Sequence, residues 1–146
     1  MTIKKSLFIA AFMLLATTMA NAAKKTIYKP WSNGKLKVSA NQRYLIHENG
    51  TPFFWLGNTA WLLPERLNRD EAEYFLAKER ELGYNVEQIQ VLNAIPTFNV
   101  YGHQANNAEF DFSKVSKPGV DGYWEHLDYI VDVAEQNGIY IAMDCI

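Results

Sequence analysis

Hydrophobic positions along the chain follow two periods, and the switches between them predict the order of elements. Arg43-Tyr44-Leu45-Ile46-His47 and Phe53-Phe54-Trp55-Leu56 are short β-type runs on either side of Glu48-Asn49-Gly50-Thr51. Asn49-Gly50 suits the two positive φ angles of a type I′ connection, so a hairpin is expected. Asn49-Gly50-Thr51 is also a glycosylation sequon by pattern, but the turn accounts for it more simply. Phe53–Leu56 reads as one buried strand, broken at Gly57 and followed at once by Asn58, Thr59, Ala60 and Trp61.

The period then lengthens. Asn68, with Glu71 three residues on, predicts a capped helix start. Ala72, Phe75, Leu76 and Leu82 fall close to one helical face, and Gly83 stops the helix. Its charged residues, Asp70, Glu71, Glu73, Lys78, Glu79, Arg80 and Glu81, are then assigned to the solvated face. Asn85–Asn93 returns to period two. Ile89 and Val91 share one side, and Gln88 and Gln90 share the other. A second helix is expected from an Asp121 cap to Gln136, with Tyr123, Leu127, Ile130, Val131 and Ala134 at helical spacing and Asn137-Gly138 as its end. His126 beside Glu125 is no metal pair, because adjacent helical residues do not face each other. Ile139–Ile146 is a third strand, in which Cys145 reads as a small buried packing residue.

The order hairpin, strand, helix, strand, helix, strand implies an α/β fold with a parallel sheet. Gly57-Asn58-Thr59-Ala60 carries neither of the Gly-rich phosphate-binding patterns, so an open nucleotide-binding sheet fits poorly. The expectation is the N-terminal part of a (β/α)₈ TIM barrel, about three βα units preceded by a β-hairpin. A whole barrel needs about 250 residues, and this chain has 146.

Composition narrows the class. With 49% hydrophobic and 14% aromatic residues the chain is globular rather than disordered. A single Cys excludes a disulfide framework. The net charge of −2, without a basic cluster among aromatics, makes nucleic acid an unexpected partner. The N-terminus has the order of a signal peptide: Lys4 and Lys5, the apolar run Leu7–Ala16, then Ala20-Asn21-Ala22. Cleavage after Ala22 is expected, giving a periplasmic or secreted protein with no membrane attachment after processing. The apolar run is short for a bilayer span. Residues 23–35 form an irregular lead-in, and residues 36–146 form the barrel part.

Candidate chemistry sits where strands end. Asn58 and Trp61 follow the first barrel strand, and loops after such strands carry barrel sites. A parallel strand packed by helices turns its apolar side outward, which sends Gln88 and Gln90 into the barrel interior. A buried amide there needs a polar partner or a ligand. Asn93 ends that strand. Ala94–Gly119 is a long loop holding Pro96, Asn99, Tyr101, Gly102, His103, Asn106 and Asn107, and its aromatics, amides and His suit sugar hydroxyls and rings. Asp144 is a charge in an otherwise apolar strand. The substrate-binding set is therefore Asn58, Trp61, Gln88, Asn93, Tyr101, His103 and Asp144, with no metal and no cofactor expected.

The stretches RYLIHENGTPFFWLGNTAW, LGYNVEQIQVL and GYWEHLDYIVDVAEQNGIYIAM resemble the apiosidase-like glycoside hydrolases of polysaccharide-degrading bacteria. The resemblance covers roughly residues 36–146. It implies a secreted (β/α)₈ enzyme acting on plant or other polysaccharide side chains, and it carries over to Asn58, Trp61 and Gln88. Asp commonly occupies the family position where this chain has Asn58, which weakens an acid–base role there and leaves hydroxyl binding open. The resemblance also implies that the acid and the nucleophile follow later strands, beyond Ile146. Glycoside hydrolysis needs two opposed carboxyls, about 5 Å apart for retention or about 6.5–9.5 Å for inversion. Asp144 alone is not such a pair. The expectation is an inactive N-terminal part of a glycoside hydrolase. The alternative is a secreted, non-catalytic carbohydrate-binding or structural module.

Overall fold

The structure, a computed structural model, describes residues 29–106 and 121–145. The segment expected to be a signal peptide, the first part of the expected lead-in, Asn107 and Ile146 lie outside them. A short 3-10 helix, Pro30–Asn33, leads into an antiparallel sheet of β1 (Leu36–Val38), β2 (Leu45–His47) and β3 (Pro52–Phe53), in that spatial order. The expected hairpin is β2–β3, with Leu45 opposite Phe53. Its turn is not type I′. Gly50 is left-handed at φ 88°, but Asn49 is not. Gly50 N–H donates to His47 O, and His47 N–H donates to Thr51 O, which makes a three-residue connection closed by a left-handed glycine. Asn49 Oδ1 instead accepts from the backbone N–H and the hydroxyl of Thr51.

A parallel sheet follows, built from β4 (Gly57–Thr59), β5 (Val86–Gln90) and β6 (Tyr140–Asp144), again in chain order. Helices α1 (Leu63–Arg66) and α2 (Arg69–Leu82) connect β4 to β5, and α3 (Tyr123–Asn137) precedes β6. Phe53–Leu56, expected from the sequence as one buried strand, is not one. Phe53 closes the hairpin, while Phe54, Trp55 and Leu56 are exposed. The crossing between sheets is held by one side chain together with main-chain bonds: Asn85 Oδ1 accepts from Leu56 N–H, its Nδ2 donates to Phe54 O, and the N–H groups of Asn85 and Val86 donate to Leu56 O. The first parallel strand starts at Gly57, where a Cβ would lie 2.7 Å from Trp55 Nε1. Only glycine lets the chain pass that indole without displacing it.

The capping box of α2 is complete, with Asn68 and Glu71 bonded reciprocally, and Gly83 ends the helix at φ 98°. Ala72 and Leu76 are buried, but Leu82 is 71% exposed and Glu79 only 7%. Helical geometry explains both departures. Six residues beyond Leu76, Leu82 is turned about 120° away, whereas Glu79 is turned only about 60°. Glu79 thus leaves the solvated set for the packed face. Helix α3 begins after Gly122, not at an Asp121 cap. Asp121 has φ 58° and pairs its carboxylate with Arg69 at 3.2 Å. Cys145, beyond the end of β6, is exposed rather than buried.

The core lies between sheet and helices. Leu63, Ala72, Leu76, Ile89, Leu127 and Ile130 are among its members. Parallel register fixes which residues share each face. Asn58, Glu87 and Ile141 are aligned, as are Thr59, Gln88 and Ala142. Ile89 and Ile141 pack into the core, so Asn58 and Glu87 look toward the helices and Gln88 looks away. The antiparallel sheet covers the N-terminal end of that opposite face. Tyr140 meets Trp31 and Phe53 edge-on, at 5.5 and 5.6 Å between ring centroids.

Candidate functional site

The polar strand ends form on the face turned from the helices. Gln88 and Gln90 alternate onto it from β5, and Asp144 is the register partner of Gln90 on β6. Gln88 is exposed; Gln90 and Asp144 are half-buried. Backbone bonds extend the sheet beyond these residues. Gln90 N–H donates to Trp61 O at 2.9 Å, and Val91 N–H donates to Asp144 O at 2.8 Å. Trp61, itself half-buried, is thereby fixed where β5 ends. Register therefore brings Trp61, Gln88 and Asp144 to one end of one sheet.

Asn58 goes elsewhere. Its Nδ2 donates to Glu79 Oε2 at 3.1 Å, and its Oδ1 accepts from Thr59 N–H at 2.8 Å. Both ends of the amide are used on the helix side of the sheet. Tyr101 is also engaged structurally. Its hydroxyl accepts from Arg69 N–H at 3.0 Å, and its ring meets buried His126 edge-on.

The long loop is organised by Asn99, which is buried. Asn99 Oδ1 accepts from the N–H groups of Tyr101 and His103, and its Nδ2 donates to Asp121 O. His103 and Asn93 are exposed on this loop. Asn93 N–H donates to Glu65 Oε1, which also accepts from the Thr97 hydroxyl at 2.9 Å, so α1 holds the loop after β5. Tyr123 closes the loop base by donating to Val91 O. Burial, aided by the nearby Glu65 charge and against the Thr97 hydrogen bond, pushes the Tyr123 hydroxyl up to about 12. It is a neutral donor at any physiological pH. Burial likewise holds His126 below the ordinary histidine range. Its Nε2 donates to Leu67 O at 2.9 Å, so the neutral ring has its proton there. Among the described residues, no group of three or more His, Cys, Asp or Glu side chains is placed to hold a metal ion.

A family model described as "Apiosidase-like, catalytic domain" matches residues 39–146. The chain belongs to the apiosidase-like family. Two solved structures are similar to this apiosidase-like chain. One, titled "Glycoside hydrolase", is 57% identical with a TM-score of 0.76 over 81% of the chain. The other, a glycoside hydrolase family 5 protein from Bacteroides vulgatus, is 54% identical with a TM-score of 0.78 over 83%. The chain spans about a quarter of the length of each, 26% in both cases. No curated protein matches it.

Sequence reasoning had turned Gln90 inward but had not carried it into the site. Its register with Asp144 becomes visible only when β5 and β6 are paired. Glu65 and the Glu79–Glu87 pair were missed for a different reason. A helical carboxylate such as Glu65 or Glu79 reads as solvated on a one-dimensional pattern, and Glu87 sits on the Ile89 and Val91 side of β5, so only the packing of α2 against the sheet reveals the buried pair.

Proposed function

We propose that this apiosidase-like chain is the N-terminal part of a (β/α)₈ glycoside hydrolase, and that its strand ends supply one wall of the carbohydrate site. The carrying observation is the register of Gln90 with Asp144 beside Gln88, on the sheet face the helices leave open. Amides donate and accept, and a carboxylate accepts, which suits the hydroxyls of a sugar ring. Trp61 sits at the same strand ends and supplies apolar surface of the kind that lines ligand pockets. The substrate class we infer is a side chain of plant or other polysaccharide. We assign secretion to the N-terminal segment, with cleavage after Ala22.

Hydrolysis needs a second carboxyl opposite the first. By register, Asp144 is the carboxylate that β4–β6 place on the open face, while Glu87 points to the helices. The described strands thus carry no opposed pair on that face, so we assign the pair to other parts of a complete barrel and expect this chain by itself to release no sugar. Titrating the purified chain with pectic and hemicellulosic oligosaccharides, followed by amide NMR, tests the reading. Shifts centred on Gln88, Gln90 and Asp144, with no sugar released from polysaccharide above blank, are expected. Sugar release abolished by Asp144→Asn, or binding centred on the helix side, overturns it.

A further inference from the structure

Behind the first two parallel strands, two carboxyl side chains are buried together. Glu87 lies in β5 on the helix-facing side and is fully buried; Glu79, in the last turn of α2, is 7% exposed. As a carboxylate Glu87 has no donor, because both its oxygens are buried and neither accepts a hydrogen bond among the described residues. Among the described residues its surroundings offer no compensation. The neutral amide of Asn58 aligns with it from β4, the apolar Ile141 aligns from β6, and the charged group that bears on it is Glu79 from α2.

Two carboxyls in one dry site cannot both be ionised cheaply, since desolvation and like charge each disfavour the second ion. Protonating one of them removes a charge and creates the missing donor. The hydrogen bonds decide which one. Asn58 Nδ2 donates to Glu79 Oε2 and so favours the charged form of Glu79. Glu87 receives nothing comparable.

We propose that Glu87 is held as a carboxylic acid that donates its proton to Glu79, so that the pair carries one negative charge and acts as a proton-operated latch between β5 and α2. Burial, followed by the charge of Glu79 and the hydrogen bond to it, pushes the Glu87 carboxyl up to about 8. When the proton leaves to solvent, two like charges face each other at the strand–helix contact. The unfolded chain loses the same proton near the ordinary Glu value of about 4.3. Between these values the native state holds a proton that the unfolded state has lost. Stability from this pair therefore falls as pH rises across that window and levels off above about 8.

Thermal melts of the protein and of Glu87→Gln, from about pH 5 to about pH 9, test the latch. Glutamine keeps the shape and a donor but cannot ionise. The wild-type melting temperature is expected to fall several degrees relative to the variant as pH rises, and parallel profiles overturn the proposal. Infrared spectroscopy of the wild-type protein gives an independent reading. A protonated carboxyl stretch is expected at neutral pH, when ordinary carboxyls are ionised, and it is lost at alkaline pH. Its absence at neutral pH overturns the proposal whether or not the variant folds.

Discussion

Gln90 and Asp144 are register partners across β5 and β6, on the sheet face that carries no helix. Neighbours in register stand about 5 Å apart, close enough for one amide and one carboxylate to engage adjacent hydroxyls of a single ring. Because exposed Gln88 lies one pleat away on the same strand, the three form a short polar row.

Changing that row should affect binding more than stability. Asp144→Asn and Gln88→Ala are expected to weaken oligosaccharide binding several-fold. The melting temperature of Gln88→Ala should hold, since exposed substitutions usually change stability by within about 0.5 kcal/mol, and Asp144→Asn keeps the shape of the half-buried side chain. Calorimetric titration beside a thermal melt checks this, and a large drop in melting temperature with unchanged affinity contradicts it.

Asn58 should behave the opposite way. Asn58→Ala leaves the buried Glu79 carboxylate without its amide donor, which costs about 1–3 kcal/mol. Denaturant unfolding should show a lower midpoint at an unchanged slope, with sugar affinity retained. If affinity collapses while the midpoint holds, Asn58 contacts the sugar directly.

His126 should impose a pH limit on the acid side. Burial lowers its folded pKa, so the unfolded chain takes up a proton near pH 6.5 while the folded ring is still neutral. The stability from this site is complete above that pH and is lost progressively as pH falls below it. Imidazole NMR of the native protein should show His126 titrating below the ordinary histidine value of about 6.5. A ring already cationic at about pH 6.5 contradicts this.

Export can be read directly from the protein terminus. N-terminal sequencing of material recovered outside the cytoplasm should begin at Ala23. A protein still starting at Met1 overturns the assignment of secretion.

Elements with strong local signals were legible in the sequence. The Asn68–Glu71 capping box and the left-handed glycines Gly83 and Gly138 are written in residues that neighbour one another along the chain. The sharing of one face by Gln88 and Gln90 and of the other by Ile89 and Val91 followed from alternation alone. What was not legible depends on partners distant in sequence. Phe53–Leu56 looks like one strand because its residues are all apolar, yet Asn85, about thirty positions on, divides it by bonding to Phe54 and Leu56. The direction of Asn58 is set by Glu79, and the burial of Glu79 is set by the rotation of α2 against the sheet. Asp121 loses its capping role because Arg69, on another helix, holds its carboxylate.

The meeting of Tyr140 with Trp31 and Phe53 gives the parallel sheet two unlike ends. One end is closed by aromatic rings whose positions depend on each other, so a change in any of them disturbs the rest. At the opposite end, β5 runs out into a loop that is pinned by Asn99, Glu65 and Tyr123 but exposed at Asn93 and His103. Substitutions at such exposed loop positions can therefore accumulate without renegotiating the fold, while the aromatic end tolerates little drift. Across relatives, variation in sequence should be lopsided along the strand axis, low near Tyr140 and high past Asp144.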